Sequence, residues 1–241
     1  MIHKAPRLLA CGTTALTVEF ADELSAAANA PVIALDRRIA ENPPPGVVEA
    51  IPTYRSLQVV YDPCLTDAAE LGRALLALAA LPAPAAAAAG RLWRVPVSFG
   101  GAHGADLAAV AAALELAEAA LVERFCAAEL TVYMIGFMPG FCYLGGLPAG
   151  IAMPRRTDPR ASVPGGSVSI GGIQAALVPF DMPSGWHLLG NTPARLLDLG
   201  REDPFLIRAG DRVRCFAITA ADHAALTARQ QAGEWRLEAA A

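Results

Sequence analysis

The sequence predicts an α+β protein in two parts. The first is a small two-layer ββαββα domain over residues 1–82, and the second is a β-barrel domain over residues 91–241 with a helical pair and a C-terminal helix. Three observations carry this reading. Pairs of short strand patterns alternate with single amphipathic helices through the first eighty residues. Residues 83–90 are an alanine and proline run ending at Gly90, without a polar side chain or a period that a core would require, and read as a linker. Beyond the middle of the chain, short apolar segments are punctuated by Gly and Pro, the texture of a closed or nearly closed barrel.

Taken in order, Arg7 to Cys11 and Ala15 to Phe20 read as a hairpin, with Leu16, Val18 and Phe20 alternating against Thr17 and Glu19. Pro31 suits the first turn of a helix carrying Val32, Leu35 and Ile39, which Pro43-Pro44-Pro45-Gly46 ends. Val47 to Ile51 and Ser56 to Tyr61 make the second strand pair, and Thr66 is the expected cap of a helix with Leu71, Leu75 and Leu78 on one face. Past the linker, Leu92 to Val97 is a strand and Phe99 to Gly104 a turn. Asp106 then opens one helical segment, a second runs from about Ala117 to Ala127, and Thr131 to Ile135 is a strand. Barrel strands follow at Val163 to Gln174, Ala175 to Val178 and Arg212 to Ile218. Thr219 and Asp222 form a capping-box variant for a last helix that stops at Gly233, with Trp235 anchoring the tail.

The stretch Met134 to Pro148 holds four glycines, two prolines and three aromatics within fifteen residues. That mixture suits neither a regular helix nor an uninterrupted strand, so an ordered loop is expected, with its aromatics buried. Loops of this kind tend to carry function.

Composition removes several classes. A net charge of -4 argues against nucleic-acid or anionic-membrane surfaces. Lys4 is the only lysine, so neither a P-loop nor an internal Schiff base is available. Five widely spaced cysteines without a Cys-x-x-Cys pair read as reduced thiols of a cytoplasmic protein, and four histidines without a close pair give no metal site. A signal peptide and a membrane span are not expected.

Candidate chemistry is sparse. Arg155, Arg156 and Arg160 stand beside a Gly-rich segment, where guanidinium forks and free backbone N–H groups could bind a carboxylate or phosphate; the plainer reading is a solvated rim paired with Asp158. Gly165, Gly166 and the later Gly171-Gly172 are barrel turns or a pocket wall. Gln174 is a candidate for fixing a small amide or carboxylate, and Trp186 is core or pocket wall. His103, in a glycine-flanked turn, is a candidate proton donor or acceptor, with a surface position as the alternative. Ser167 lacks an adjacent base in sequence and is held as a catalytic candidate by its place in the Gly-rich segment.

These pieces resemble one family in sequence order. The match runs from Ala50-Ile51-Pro52-Thr53-Tyr54-Arg55 and Tyr61-Asp62-Pro63, through Pro96-Val97 and Gly100-Gly101, to Gly136, Phe137, Pro139, Gly140, Phe141, Tyr143 and Gly146. It continues in Pro154-Arg155, Pro159-Arg160, Val163-Pro164, Gly166-Ser167-Val168, Gln174, Gly185-Trp186 and Gly190 with Thr192. The chain is similar to the family of the bacterial 5-oxoprolinase B component, which includes allophanate hydrolase subunit 1 and the Kip inhibitor of a sporulation histidine kinase, and which carries carboxyltransferase subdomains C and D. The resemblance implies a cyclophilin-like barrel and an ATP-dependent opening of 5-oxoproline to glutamate, performed together with the A component and the homologous C component of the oxoprolinase complex. It makes Arg155 and Arg160 anion ligands of that small-molecule substrate. It leaves open a kinase inhibitor or half of an allophanate hydrolase or urea carboxyltransferase.

Overall fold

The computed structural model describes residues 1–82 and 90–240, and its contacts divide the chain into two compact units that part between Ala89 and Gly90. The expected linker at 83–90 lies, but for Gly90, outside the described residues.

The first unit runs β1 (Ile2–Ala10), β2 (Ala15–Ala21), α1 (Ala26–Glu41), β3 (Val47–Pro52), β4 (Ser56–Tyr61), α2 (Ala68–Ala79). The order is the expected ββαββα, and the strands form one antiparallel sheet, β1-β2-β4-β3. Alternation in β2 and β4 turns Leu16, Val18, Phe20, Leu57, Val59 and Tyr61 to one face, where Val32, Leu35 and Ile39 of α1 and Leu71 and Leu75 of α2 complete a single core. Both helix starts differ from expectation. Ser25 caps α1, accepting from the Ala28 N–H at 3.1 Å, so the helix begins ahead of Pro31 and holds it in its second turn. Asp67, rather than Thr66, caps α2, because its carboxylate reaches the N–H groups of both Ala69 and Glu70 at 2.8 Å.

The second unit runs β5 (Leu92–Phe99), α3 (Leu107–Ala113), α4 (Glu118–Ala127), β6 (Leu130–Ile135), β7 (Cys142–Gly145), β8 (Arg160–Val163), β9 (Ser167–Gly171), β10 (Gln174–Leu177), β11 (Met182–Ser184), β12 (His187–Asn191), β13 (Arg212–Ala217) and α5 (Ala220–Gln231). Seven strands close a barrel in the order β10-β7-β6-β13-β5-β12-β9, with β5 and β13 parallel, while β8 and β11 pair separately. Val95, Val97, Val132, Leu144, Val168, Ile170, Leu177, Leu189 and Val213 form its core with Leu107, Val110, Leu121 and Phe125 of the helical pair. The expected capping box of α5 is present at Thr219 and Asp222, and the tail is held by Trp235 against the core and by an Ala239–Trp93 bridge. Among the described residues no helix is long and apolar enough to cross a membrane.

The glycine-rich stretch is not loop throughout. Its first two residues finish β6, and Cys142–Gly145 is a barrel strand paired with β6. Glycine is tolerated there because the Tyr133 ring occupies the space of a side chain: a Cβ on Gly145 would lie 1.8 Å from Tyr133 Cζ. Gly140 and Gly146, at φ +80° and +88°, turn the chain into and out of the strand. Phe141 is buried as expected, but Phe137 is 67% exposed and sits at φ +67°.

Candidate functional site

The turn between β6 and β7 and the segment after Met153 meet the β8–β11 ribbon around a cavity of about 340 Å³ lined by Phe137, Phe141, Tyr143, Arg155, Ser184 and Trp186. Its floor is apolar: Val163, Ala176, Val178, Met182 and Leu188 pack beneath Phe141 and Trp186. The rings meet edge to face, Phe141 to Tyr143 at 4.6 Å, Phe141 to Trp186 at 6.2 Å and Tyr143 to Trp186 at 6.0 Å. Trp186 lies flat on Gly171, where a Cβ would come within 2.6 Å of its ring. Arg155 stacks on Trp186, Cζ to centroid 5.2 Å. Burial raises the Tyr143 phenol, and Arg155 only partly offsets it, so Tyr143 keeps its proton at neutral pH and can donate.

A buried carboxylate stands behind this cavity. Asp106 accepts from both terminal nitrogens of Arg160 at 2.8 Å, from Arg156 Nη1 at 3.3 Å and from the Leu188 N–H at 2.8 Å. Burial pushes its carboxyl up, but the Arg160 and Leu188 hydrogen bonds and the charges of Arg160 and Arg156 together hold it below the usual carboxylate range. The same commitments leave α3 without a side-chain cap from Asp106. Of the three arginines in this segment, two are therefore engaged with Asp106, and Arg156 also donates to the Asp158 carbonyl at 3.2 Å. Among the described residues Arg155 has no carboxylate partner.

A second hollow, of about 470 Å³, is bounded by His103, Arg160, Ser162, Gly165, Ser167 and Asn191. Ser167 is buried and its hydroxyl donates to the Pro164 carbonyl at 2.6 Å, so its proton goes to a backbone acceptor and not to a base. The His103 ring stacks on His223 of α5 at 4.1 Å. His223 Nε2 lies 2.8 Å from Asn191 Oδ1, while Asn191 Nδ2 donates to the Gly165 carbonyl at 2.8 Å. With the Asn191 amide fixed in that sense, His223 carries its proton on Nε2. Burial and the neighbouring His103 both lower the His223 pKa, so the imidazole is neutral in the fold at neutral pH. The pairing of His223 with His103 and with Asn191 carries no signal in the sequence, since it is made by tertiary contacts alone.

The candidate residues therefore separate. Arg155, Trp186, Phe137, Phe141 and Tyr143 come together; His103, Arg160 and Ser167 share the second hollow. Gly166 is a packed turn at φ +79°, its N–H donating to the Val178 carbonyl at 2.8 Å, and the Gly165 N–H donates to Asp181 Oδ1 at 2.8 Å. Gln174 opens β10 opposite Gly171, at the far end of the hairpin from Ser167, roughly 13 Å along the strand. In the first unit, His3, Glu19 and Asp22 have ligand-like spacing, but Arg7 and Arg55 already hold both Glu19 oxygens, which makes an ion-pair cluster.

Comparison with known proteins gives a consistent picture. The family model of the carboxyltransferase domain, subdomain C and D, matches residues 6–207. The 5-oxoprolinase B component of Escherichia coli O157:H7 is 40% identical over 207 residues, covering 84% of this chain and 92% of its own length. Among solved structures, TTHA0988 superposes with a TM-score of 0.76 at 34% identity over 86% of this chain; the chain spans 40% of that protein's length. The urea amidolyase of Kluyveromyces lactis gives a TM-score of 0.76 over 98% of this chain and 16% of its own, at 15% identity, a likeness of fold alone.

Proposed function

The chain belongs to the family of carboxyltransferase domains, subdomains C and D, and from that premise we propose that it is the B component of a 5-oxoprolinase. In this reading it is a non-autonomous part of a hydrolase complex that, with its A and C components, opens 5-oxo-L-proline to L-glutamate with ATP. The observation that supports it in the structure is Arg155, an uncompensated guanidinium lying on Trp186 at an aromatic cavity of about 340 Å³. A five-membered lactam acid presents one carboxylate and one flat ring. The guanidinium fork matches the carboxylate, and the Phe137 and Tyr143 rings of the cavity wall offer apolar surface to the ring.

The nucleotide belongs elsewhere in this scheme. Phosphate binding at the Gly165-Gly166 turn would need open backbone N–H groups, and both are engaged within the fold. The turn does not fit a triphosphate, so we assign the holding of substrate to this chain and ATP to one of its partners. Five cysteines, none in a disulfide, fit a reducing compartment, and we place the complex in the cytoplasm. Co-expression with the A and C components and an assay of ATP-dependent glutamate release tests the reading. Release that requires this chain is the expected result; a correctly assembled complex that releases none overturns it.

A further inference from the structure

Phe137 is a feature that the packing of the fold does not explain. In the β6–β7 turn, its neighbour Phe141 is buried and belongs to the floor of the aromatic cavity, whereas Phe137 leaves two thirds of its surface in water. It also holds φ +67°, a conformation that side chains bearing a Cβ adopt at a cost and that glycine adopts freely. Folding alone favours a small residue here twice over: glycine would remove both the exposed ring and the strained backbone. A strained, exposed aromatic held by a turn between Gly136 and Gly140 is the kind of outlier from which a role can be inferred.

Its position says which role. Phe137 lines the cavity of Arg155 and Trp186, and its ring stands 6.2 Å from Phe141, edge to face, touching the pocket on one side and water on the other. Trp186 and Phe141 are fixed by packing on Gly171 and on the apolar floor, while Phe137 is the ring of this wall left exposed. We infer that Phe137 is the closing wall of this pocket, folding over a small ring-bearing carboxylate held at Arg155. This rests on the assignment of the cavity to the 5-oxoprolinase substrate.

The test is calorimetric titration of the full chain, wild type and Phe137→Gly, with 5-oxo-L-proline, with cyclopentanecarboxylate and with 2-pyrrolidone, which keeps the lactam ring and lacks the carboxylate. Binding of the two carboxylates, none of 2-pyrrolidone, and a loss of about tenfold in Phe137→Gly at an unchanged or raised melting temperature is the expected result. Glycine suits this backbone, so the variant folds and a loss of affinity is not a loss of structure. Equal affinities in wild type and variant overturn the role of Phe137. Absence of binding by either carboxylate overturns the site. Binding of cyclopentanecarboxylate without 5-oxo-L-proline keeps the closing wall and removes the substrate reading. A Phe137→Gly chain that keeps its affinity but no longer assembles with the homologous C component shows a contact between proteins instead, and overturns the inference.

Discussion

Asp106→Asn is the substitution that most directly probes how the site is held. The amide keeps the shape of the carboxylate and can still accept from the Leu188 N–H, but it removes the charge facing Arg160 and Arg156. Removing one partner of a buried ion pair costs about 3–5 kcal/mol. Both arginines are a little over one quarter exposed, so water recovers part of their charge and the low end applies, about 3 kcal/mol. At roughly 2–4 °C per kcal/mol for a chain of this size, the melting temperature falls by about 6–12 °C at pH 7. The effect has a pH signature. The folded pKa of Asp106 lies below its unfolded value, so its contribution is present above the unfolded pKa of about 3.9 and is lost as pH falls through the folded value. The gap between wild type and variant therefore narrows below about pH 4. Thermal unfolding followed by circular dichroism across pH 3–8 reads both numbers. Equal melting temperatures at pH 7, or a gap that widens in acid, refutes the reasoning.

Two further outcomes follow from single positions. Gly145→Ala drives a methyl into the buried Tyr133 ring and is expected to destabilise by about 3 kcal/mol, while Gly150→Ala, whose nearest neighbour would be Arg124 Nη1 at 3.5 Å, stays within about 0.5 kcal/mol; chemical denaturation of the two variants compares them. α5 has no buried residue, and His223 joins it to the barrel through the bond to Asn191 and the stack on His103. Burial and the neighbouring His103 depress the folded pKa of His223, so the stability of the neutral ring is complete above about pH 6.5 and is lost as pH falls toward the folded value, where a charged imidazole beside His103 loosens α5 although Nε2–H still donates to Asn191; amide exchange in α5, corrected for intrinsic rate, should quicken over that window and flatten in His223→Gln, and a pH-independent wild type would contradict it.

Much of the architecture could be read from periodicity. In β4 the alternation of Leu57, Val59 and Tyr61 fixed both ends of the strand, and Thr219 with Asp222 marked the start of α5, because each signal lies within a few residues of chain. Where two local signals compete, the side chain that reaches the free N–H groups decides the helix start. Pro31 suits a helix start, yet Ser25 supplies the side-chain acceptor; Thr66 stands beside a better cap in Asp67. Tertiary contacts decided the rest. Gly145 reads as a loop residue until Tyr133 is laid across it, and the expectation that all the loop aromatics are buried held for Phe141 and failed for Phe137. The candidate site was legible as residue types but not as groupings. Arg155 and Arg160 are five positions apart and look equivalent; only the approach of Asp106 from another element separates the engaged guanidinium from the uncompensated one. His103 and His223 are both plain in the sequence, 120 positions apart, and only the fold pairs them.

In the proposed function, this chain holds the substrate of a 5-oxoprolinase through Arg155. Steady-state kinetics of the assembled complex carrying Arg155→Ala tests it most directly, with 5-oxo-L-proline as the varied substrate. A charge-assisted, bidentate carboxylate contact is worth about 1.5–3 kcal/mol, so KM should rise about 10–150-fold, with a smaller change in kcat. Unaltered KM and kcat in a complex that still assembles would contradict the account.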